Sequence, residues 1–163
     1  MPPLSHNTLL ESHDPLQFDD LVATQAERIF VNCWHSSSYE SAIMWEHHAG
    51  KECGVAIKST VGRLRRSLII DVMRPIQIKD VVYIDYDTDD PEPRNTFELY
   101  FFKLKHWEQE SEIRAVLSHY LLEHSPGYDR SKFAHGDDID IDLDTLIEEV
   151  YTCLLYTSPS PRD

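Results

Sequence analysis

The chain has 163 residues, of which 41% are hydrophobic, and a formal net charge of −14 from 15 basic and 29 acidic side chains. This length predicts one globular domain with a buried core, and no apolar run approaches the roughly 20 residues of a membrane span. A chain this acidic repels phosphate backbones, which argues against a nucleic-acid partner. The N-terminus lacks the pattern of a signal peptide, so the predicted location is the cytoplasm.

Two terminal segments are set apart from the predicted domain. Residues 1–28 read as a loose N-terminal arm, interrupted by Pro2, Pro3 and Pro15, with a short helix at 21–28. Residues 153–163, CLLYTSPSPRD, resemble a translated sequencing adapter and are interpreted as an artefact. We therefore expect a domain at 29–152 that is truncated at its C-terminus, with truncation at the N-terminus as an open alternative.

The first half of this domain predicts strand, helix, strand, helix. Residues 29–34 form an almost continuous apolar run, typical of a strand covered on both faces. The capping-box residues 37–40 precede a helix on which Ala42, Trp45 and Ala49 form one stripe, so we expect Trp45 to be buried. A second strand is predicted at 53–57, and Thr60 is expected to cap a short basic helix at 61–68.

The second half predicts further strands around one helix. A strand at 81–84 leads into an acidic loop at 85–94, after which aromatic residues recur at the spacing of an amphipathic helix, 97–104. A strand begins near Glu110, an edge strand is predicted at 138–144, and 145–151 is a helix or a last strand. The predicted fold class is α+β, a single domain with a mixed sheet of about five strands and helices packed on it.

The residues best suited to chemistry lie at the start of the strand near Glu110. Alternate residues of a strand point to the same face, so Glu110, Glu112 and Arg114 are expected to project together. One glutamate would then act as a base while Arg114 pairs with the other. Lys103 and Trp107 come just before them. The alternative interpretation is a solvated ladder of surface charges.

Metal sites are not predicted. Asp138, Asp140 and Asp142 have the spacing of a calcium loop, but Leu143 occupies the sixth position, where that loop needs glycine. The nine histidines show no zinc-binding spacing. His48 is either a ligand contact beside Trp45 or an ordinary histidine of a helix surface. Cys33 and Cys53 are expected to be reduced and buried.

Several segments together resemble a bacterial family of unknown function: FVNCWH, ESAIMWEHHAGKECGVAIKST, VVYIDYD, KLKHWEQESEIRAVL and DIDLDTLIEEVY. That family has a Met-Trp-x-x-Tyr helix and a Lys-x-x-x-Trp-x-x-Glu-x-Glu-x-Arg run, which corresponds here to Lys103–Arg114; His48 stands where the family has tyrosine. The resemblance spans residues 29–151. It implies candidate catalytic residues Glu110, Glu112 and Arg114 and candidate ligand-binding residues Trp45, His48, Lys103 and Trp107, but no reaction.

Glu110-Ser111-Glu112 also resembles the Glu-x-Glu element of ADP-ribosyltransferases, in which the second glutamate holds the nicotinamide ribose. This resemblance implies NAD as the cofactor, although the arginine or histidine that those enzymes have on an early strand is not assigned here. The competing prediction is a non-catalytic or regulatory ligand-binding domain, which the lack of a recognised nucleophile favours. The ligand of such a domain is either a small molecule or a protein. The sequence identifies neither this ligand nor the oligomeric state.

Overall fold

The computed structural model describes residues 26–49, 54–69, 71–95 and 97–152. Its strands are β1 (Ile29–His35), β2 (Val55–Lys58), β3 (Ile76–Asp80), β4 (Val82–Ile84), β5 (Phe102–Leu104), β6 (Glu112–Ser118) and β7 (Glu149–Thr152). Its α-helices are α1 (Ala42–Ala49), α2 (Val61–Ser67) and α3 (Leu143–Leu146). Short 3-10 segments lie at Glu98–Phe101, Lys105–Glu110, Leu122–His124 and Arg130–Phe133. Helices and strands thus occur together, as an α+β fold requires.

The strands form three small sheets instead of the single mixed sheet of about five strands that the sequence predicts. β6 lies between β1 and β3 in an antiparallel sheet, β2 pairs antiparallel with β7, and β4 pairs parallel with β5. The expected large sheet does not form because β2 pairs with β7, where Lys58 of β2 also bonds to Glu149 of β7 at 2.7 Å.

One face of the three-stranded sheet supports the main hydrophobic core. Leu64 of α2, Ile78 of β3 and Leu146 of α3 are its buried centre, and Trp34, Ile113 and Ala115 pack against them from β1 and β6. Each fully buried aliphatic side chain of this kind stabilises the fold by about 1.5–3 kcal/mol. α2 is held in place by Thr60, whose side chain accepts a hydrogen bond from the Arg63 amide, as predicted.

β1 forms as predicted, but it is not covered on both faces. Its middle residues, Val31 to Cys33, are exposed, and Val31 retains 45% of its accessible surface. The prediction that Cys33 is buried is therefore wrong. The ends of the strand are half-buried, and Trp34 packs against the core.

Two other predicted elements are absent from the described residues. The amphipathic helix at 97–104 is instead a 3-10 segment followed by β5, because Leu104 pairs with Ile84 and the Tyr100 carbonyl accepts a hydrogen bond from Arg114. The edge strand at 138–144 is reduced to an isolated antiparallel bridge between Ile141 and Leu68, after which the chain enters α3. There the Asp142 carboxylate accepts from the amides of Asp144 and Thr145, so it caps the helix.

Several predictions concern residues outside the described part of the chain. These are the arm at 1–25, the start of the second strand at Cys53, and the adapter-like segment at 153–163. The described residues contain no helix that is long and apolar enough to cross a membrane.

Candidate functional site

The start of β6 brings Glu112 and Arg114 into direct contact. Glu112 is 9% exposed, and its Oε2 accepts hydrogen bonds from Arg114 Nη2 at 2.8 Å and from Nε at 3.1 Å. Arg114 Nη1 donates to the carbonyl oxygen of Tyr100 at 2.7 Å. The guanidinium therefore joins a buried carboxylate to the backbone of the segment before β5. Such charge-assisted bonds are the strong ones in proteins.

Lys103 and Glu110 extend this ion pair into a network of four charges. Lys103 Nζ forms a salt bridge with Glu110 and lies 3.5 Å from Glu112 Oε2. The same Nζ lies 5.4 Å from the ring centroid of Trp107, which is the geometry of a cation–π contact. The four residues Lys103, Glu110, Glu112 and Arg114 are called the charge network below. Its two positive and two negative groups balance.

Glu110 joins the network without being on the strand. Ser111 between the two glutamates has φ = 41°, in the left-handed region, so the alternation of β6 begins only at Glu112. Glu110 is the last residue of the 3-10 segment and forms a salt bridge with Lys103. Glu112 forms one with Arg114. The predicted period-2 spacing therefore fits Glu112 and Arg114 and fails for Glu110.

Cys33 touches the network from β1, where it is paired with Arg114 across the sheet. Although Cys33 is exposed overall, partial desolvation raises the pKa of its thiol, and the neighbouring Glu112 carboxylate raises it further. The thiol therefore keeps its proton at neutral pH. For Glu112, burial alone raises the pKa, but the Cys33 hydrogen bond and the positive charges of Arg114 and Lys103 hold it below its ordinary value.

These contacts limit what the charge network does chemically. The Glu112 carboxylate accepts two hydrogen bonds from Arg114 and lies 3.5 Å from Lys103 Nζ, and its pKa is lowered, so it is ionised and a weak base. Its backbone N–H donates to the Tyr83 hydroxyl at 2.8 Å. The network thus fastens β6 to β4 and to the segment around Lys103. Its four side chains retain 9–24% of their accessible surface, so it is not a solvated ladder of surface charges.

Trp45 and His48 lie in a different place, at a cavity of about 710 Å³. This cavity is called the Trp45 cavity. Its wall combines aromatic, hydroxyl, aliphatic and charged side chains from the end of β1, the segment after it, α1 and β2, together with one residue of β7: Cys33, Trp34, His35, Ser37, Ser38, Tyr39, Glu40, Ser41, Met44, Trp45, His48, Ala49, Gly54, Val55, Ala56, Ile57, Lys58, Ser59 and Tyr151. None of the four network residues nor Trp107 is in this lining. The structure does not bring the two predicted groups together, although Cys33 touches both.

Trp45 is only half-buried, so the prediction of a buried core residue is wrong. None of the residues of α1 is buried, and Ala42, which the predicted stripe placed beside Trp45, is exposed. One face of the indole packs on Gly54, where an added Cβ would lie 3.1 Å from Trp45 Cζ3 and would collide with Ala49. Gly54 therefore has no room for a side chain, and Trp45 also lines the cavity.

His35, which the sequence reasoning missed, also lines the Trp45 cavity. Its Nδ1 lies 2.7 Å from the carbonyl oxygen of Glu110, while its buried Nε2 has no hydrogen-bond partner among the described residues. The signal available in the sequence was its place at the end of an apolar strand, but no motif marked it.

A second missed group surrounds His119, which is fully buried at the end of β6. Its Nε2 lies 2.8 Å from Asp137 Oδ2 and its Nδ1 lies 3.2 Å from the Tyr128 hydroxyl, while the rings of Phe30 and Phe133 pack on it. Asp137 is held in turn by Arg74 at 3.2 Å. All polar atoms of this imidazole are bonded, so the group fastens the loop after β6 to the sheet.

Comparisons with protein-family models, with curated proteins and with solved structures found no match to this chain. The resemblances to a bacterial family and to ADP-ribosyltransferases therefore stay predictions.

Proposed function

We propose that this chain is a non-catalytic domain that binds a small ligand in the Trp45 cavity. The observation that supports this most strongly is the cavity itself. Its volume of about 710 Å³ lies within the range of small-molecule sites, roughly 300–1,000 Å³. Its wall offers the half-buried Trp45 with Met44 and Tyr39, and serine hydroxyls beside them. This composition suits a flat, partly apolar ligand with polar groups at its edge.

The state of the charge network also favours binding over catalysis. A catalytic carboxylate needs a free face toward its substrate, and both carboxylates of the network are engaged by cations. Glu112 is buried and ionised, and its pKa is lowered. In this proposal the network gives the domain its rigidity, and the ligand is held by α1, β1 and β2.

Indole serves as a probe of the cavity because it is flat, partly apolar and small. We expect it to bind with a dissociation constant of about 1 mM, which is usual for a fragment of this size. Calorimetric titration should show this binding in the intact chain and its loss in Trp45→Ala. Trp107→Ala is the matched control, since Trp107 is 42% exposed and outside the cavity. Equal binding by Trp45→Ala and the intact chain would contradict the proposal.

The ADP-ribosyltransferase alternative is tested separately with NAD. Nicotinamide release is measured with the intact chain and with Glu112→Gln, which keeps the size of the side chain and removes its charge. We expect no release above background from either protein. Release by the intact chain that Glu112→Gln abolishes would establish the enzyme and overturn the non-catalytic proposal.

A further inference from the structure

A second cavity, of about 1230 Å³, lies beside the main hydrophobic core. β1, α2, α3 and the segment 130–141 contribute to its wall, which includes Leu64 and Leu146 of the core. More than half of the lining side chains are aliphatic, so it is called the aliphatic cavity below. Among the described residues, only Trp34 and Ile57 also line the Trp45 cavity. The aliphatic cavity is therefore a separate candidate site.

The aliphatic cavity is accessible from solvent. Val31 and Leu143, which line it, retain 45% and 55% of their accessible surface, and Ile57 retains 42%. Well-packed interiors contain few voids larger than a water molecule, and water finds few hydrogen-bond partners beside aliphatic side chains. An apolar molecule that enters the cavity would therefore bury aliphatic surface that the chain leaves open, which favours its binding.

The charged side chains of the wall favour a cation. Glu27, Asp137 and Asp138 line the cavity, against Arg130 alone among the basic residues described there. Arg130 forms a salt bridge with Glu27. Arg74 bonds at 3.2 Å to the Asp137 carboxylate and at 3.2 Å to the backbone carbonyl of Asp138. The exposed carboxylate of Asp138 thus has no cation partner among the described residues, and it makes the wall complementary to a positive charge.

We infer that the aliphatic cavity binds an aliphatic amine, whose hydrocarbon chain lies along the aliphatic wall and whose ammonium group pairs with Asp138. The hydrocarbon chain supplies most of the affinity because it is removed from water. The ammonium group supplies selectivity, since an exposed ion pair contributes little energy but a like charge at the same place is repelled. A fatty acid presents that like charge, so the wall disfavours it. This site is additional to the Trp45 cavity and does not depend on the proposed function.

Homologous probes measure the two parts of the ligand separately. Octylamine, hexylamine and octanoate are titrated calorimetrically into the intact chain at low ionic strength and about pH 7.5, where aliphatic amines are protonated and carboxylic acids are ionised. Each buried methylene adds about fourfold in affinity, so octylamine should bind roughly tenfold more tightly than hexylamine. Octanoate has the same chain length and the opposite charge, and it should bind about tenfold more weakly than octylamine.

Matched variants assign each part of the ligand to a residue. Asp138→Asn should remove most of the advantage of octylamine over octanoate, whereas Asp140→Asn, the same change at an exposed carboxylate outside the lining, should preserve it. Val31→Gln places a polar group in the aliphatic wall and should weaken octylamine binding about tenfold. Val82→Gln is its control, at a residue that is 51% exposed and outside the lining. All four variants should match the intact chain in circular dichroism.

The outcomes separate this inference from the proposed function. Octylamine binding that is retained in Trp45→Ala supports a separate site, and its loss in that variant would overturn the inference. Octanoate binding as tight as that of octylamine, or an unchanged preference in Asp138→Asn, would also overturn it. So would the absence of octylamine binding, and sedimentation would then show whether a second copy of the chain covers the cavity. Indole binding in the Trp45 cavity is measured independently of each of these results.

Discussion

Arg114 is the side chain whose loss should destabilise the fold most among the four charges of the network. Replacing it with methionine keeps much of its packing but removes the bonds to Glu112 at 2.8 and 3.1 Å and the bond to the Tyr100 carbonyl at 2.7 Å. Removal of one partner of a buried ion pair typically costs about 3–5 kcal/mol. Because Lys103 Nζ remains 3.5 Å from Glu112 Oε2, we expect the lower end, about 3 kcal/mol.

Urea denaturation at neutral pH measures this loss, with Lys103→Met as the matched control. Lys103 is more exposed than Arg114, at 22% against 15%, and it makes its closer contact with Glu110, which is 24% exposed. We therefore expect a smaller effect, about 1 kcal/mol. A loss below about 1 kcal/mol for Arg114→Met would show that the network does not brace the fold.

The pH dependence gives a second test of the same ion pair. The pKa of Glu112 is lowered in the folded state, so its stabilising contribution is present above the unfolded value, about 4.3, and is lost as the pH falls through the folded value. Protonated Glu112 is neutral, so the loss of the Arg114 guanidinium no longer leaves an unpaired buried charge. The difference in stability between the intact chain and Arg114→Met should therefore narrow below about pH 4. A difference that is constant down to acid unfolding would refute the assignment.

Three further predictions concern contacts away from the network. His119→Leu should lower the free energy of unfolding by about 2–4 kcal/mol in urea titrations, because it leaves the buried Asp137 with one partner fewer; an unchanged midpoint would contradict this. Thr60→Ala should cost about 1 kcal/mol by the same measurement, since the cap of α2 is lost, and Thr60→Ser should restore it. Gly54→Ala should lower the melting temperature and change the tryptophan emission, because its methyl group collides with Ala49 and crowds Trp45; unchanged emission would show that the contact is absent.

Local signals in the sequence were sufficient for some elements. The apolar run of β1, the alternation in β6 and the Thr60 cap of α2 each depend on residues near in sequence, and each appears in the structure. β3 was missed, although Ile76 and Ile78 alternate after Pro75. The side chains of that strand that face the core are too few to stand out from a single short window.

Where the local sequence pattern predicted the wrong secondary structure, tertiary contacts determine the observed one. The aromatic spacing from Phe97 to Leu104 is typical of an amphipathic helix, but Arg114 binds the Tyr100 carbonyl and Leu104 pairs with Ile84. An α-helix needs that carbonyl for its own backbone bond. Neither partner is visible in a window of eight residues.

The sequence predicted which residues belong to the candidate site better than it predicted how they are arranged. Period-2 spacing placed Glu112 and Arg114 together, and the composition of the run drew attention to Lys103. The Trp45 cavity is lined in part by β2, and the pairing of β2 with β7 is specified by no local pattern. The unpaired nitrogen of His35 depends on a backbone carbonyl in a distant segment, so sequence alone gave no access to it.

The pairing of the strands has a consequence for the order of folding. β1 has its sheet partner in β6, and β2 has its partner in β7, so both early strands pair with segments far along the chain. Closing such long loops costs entropy before any contact rewards it, and folds of this kind form slowly. During synthesis the apolar residues of β1 stay without their partner until Glu112–Ser118 has left the ribosome. The domain is therefore expected to be most prone to aggregation while its last third is still being made.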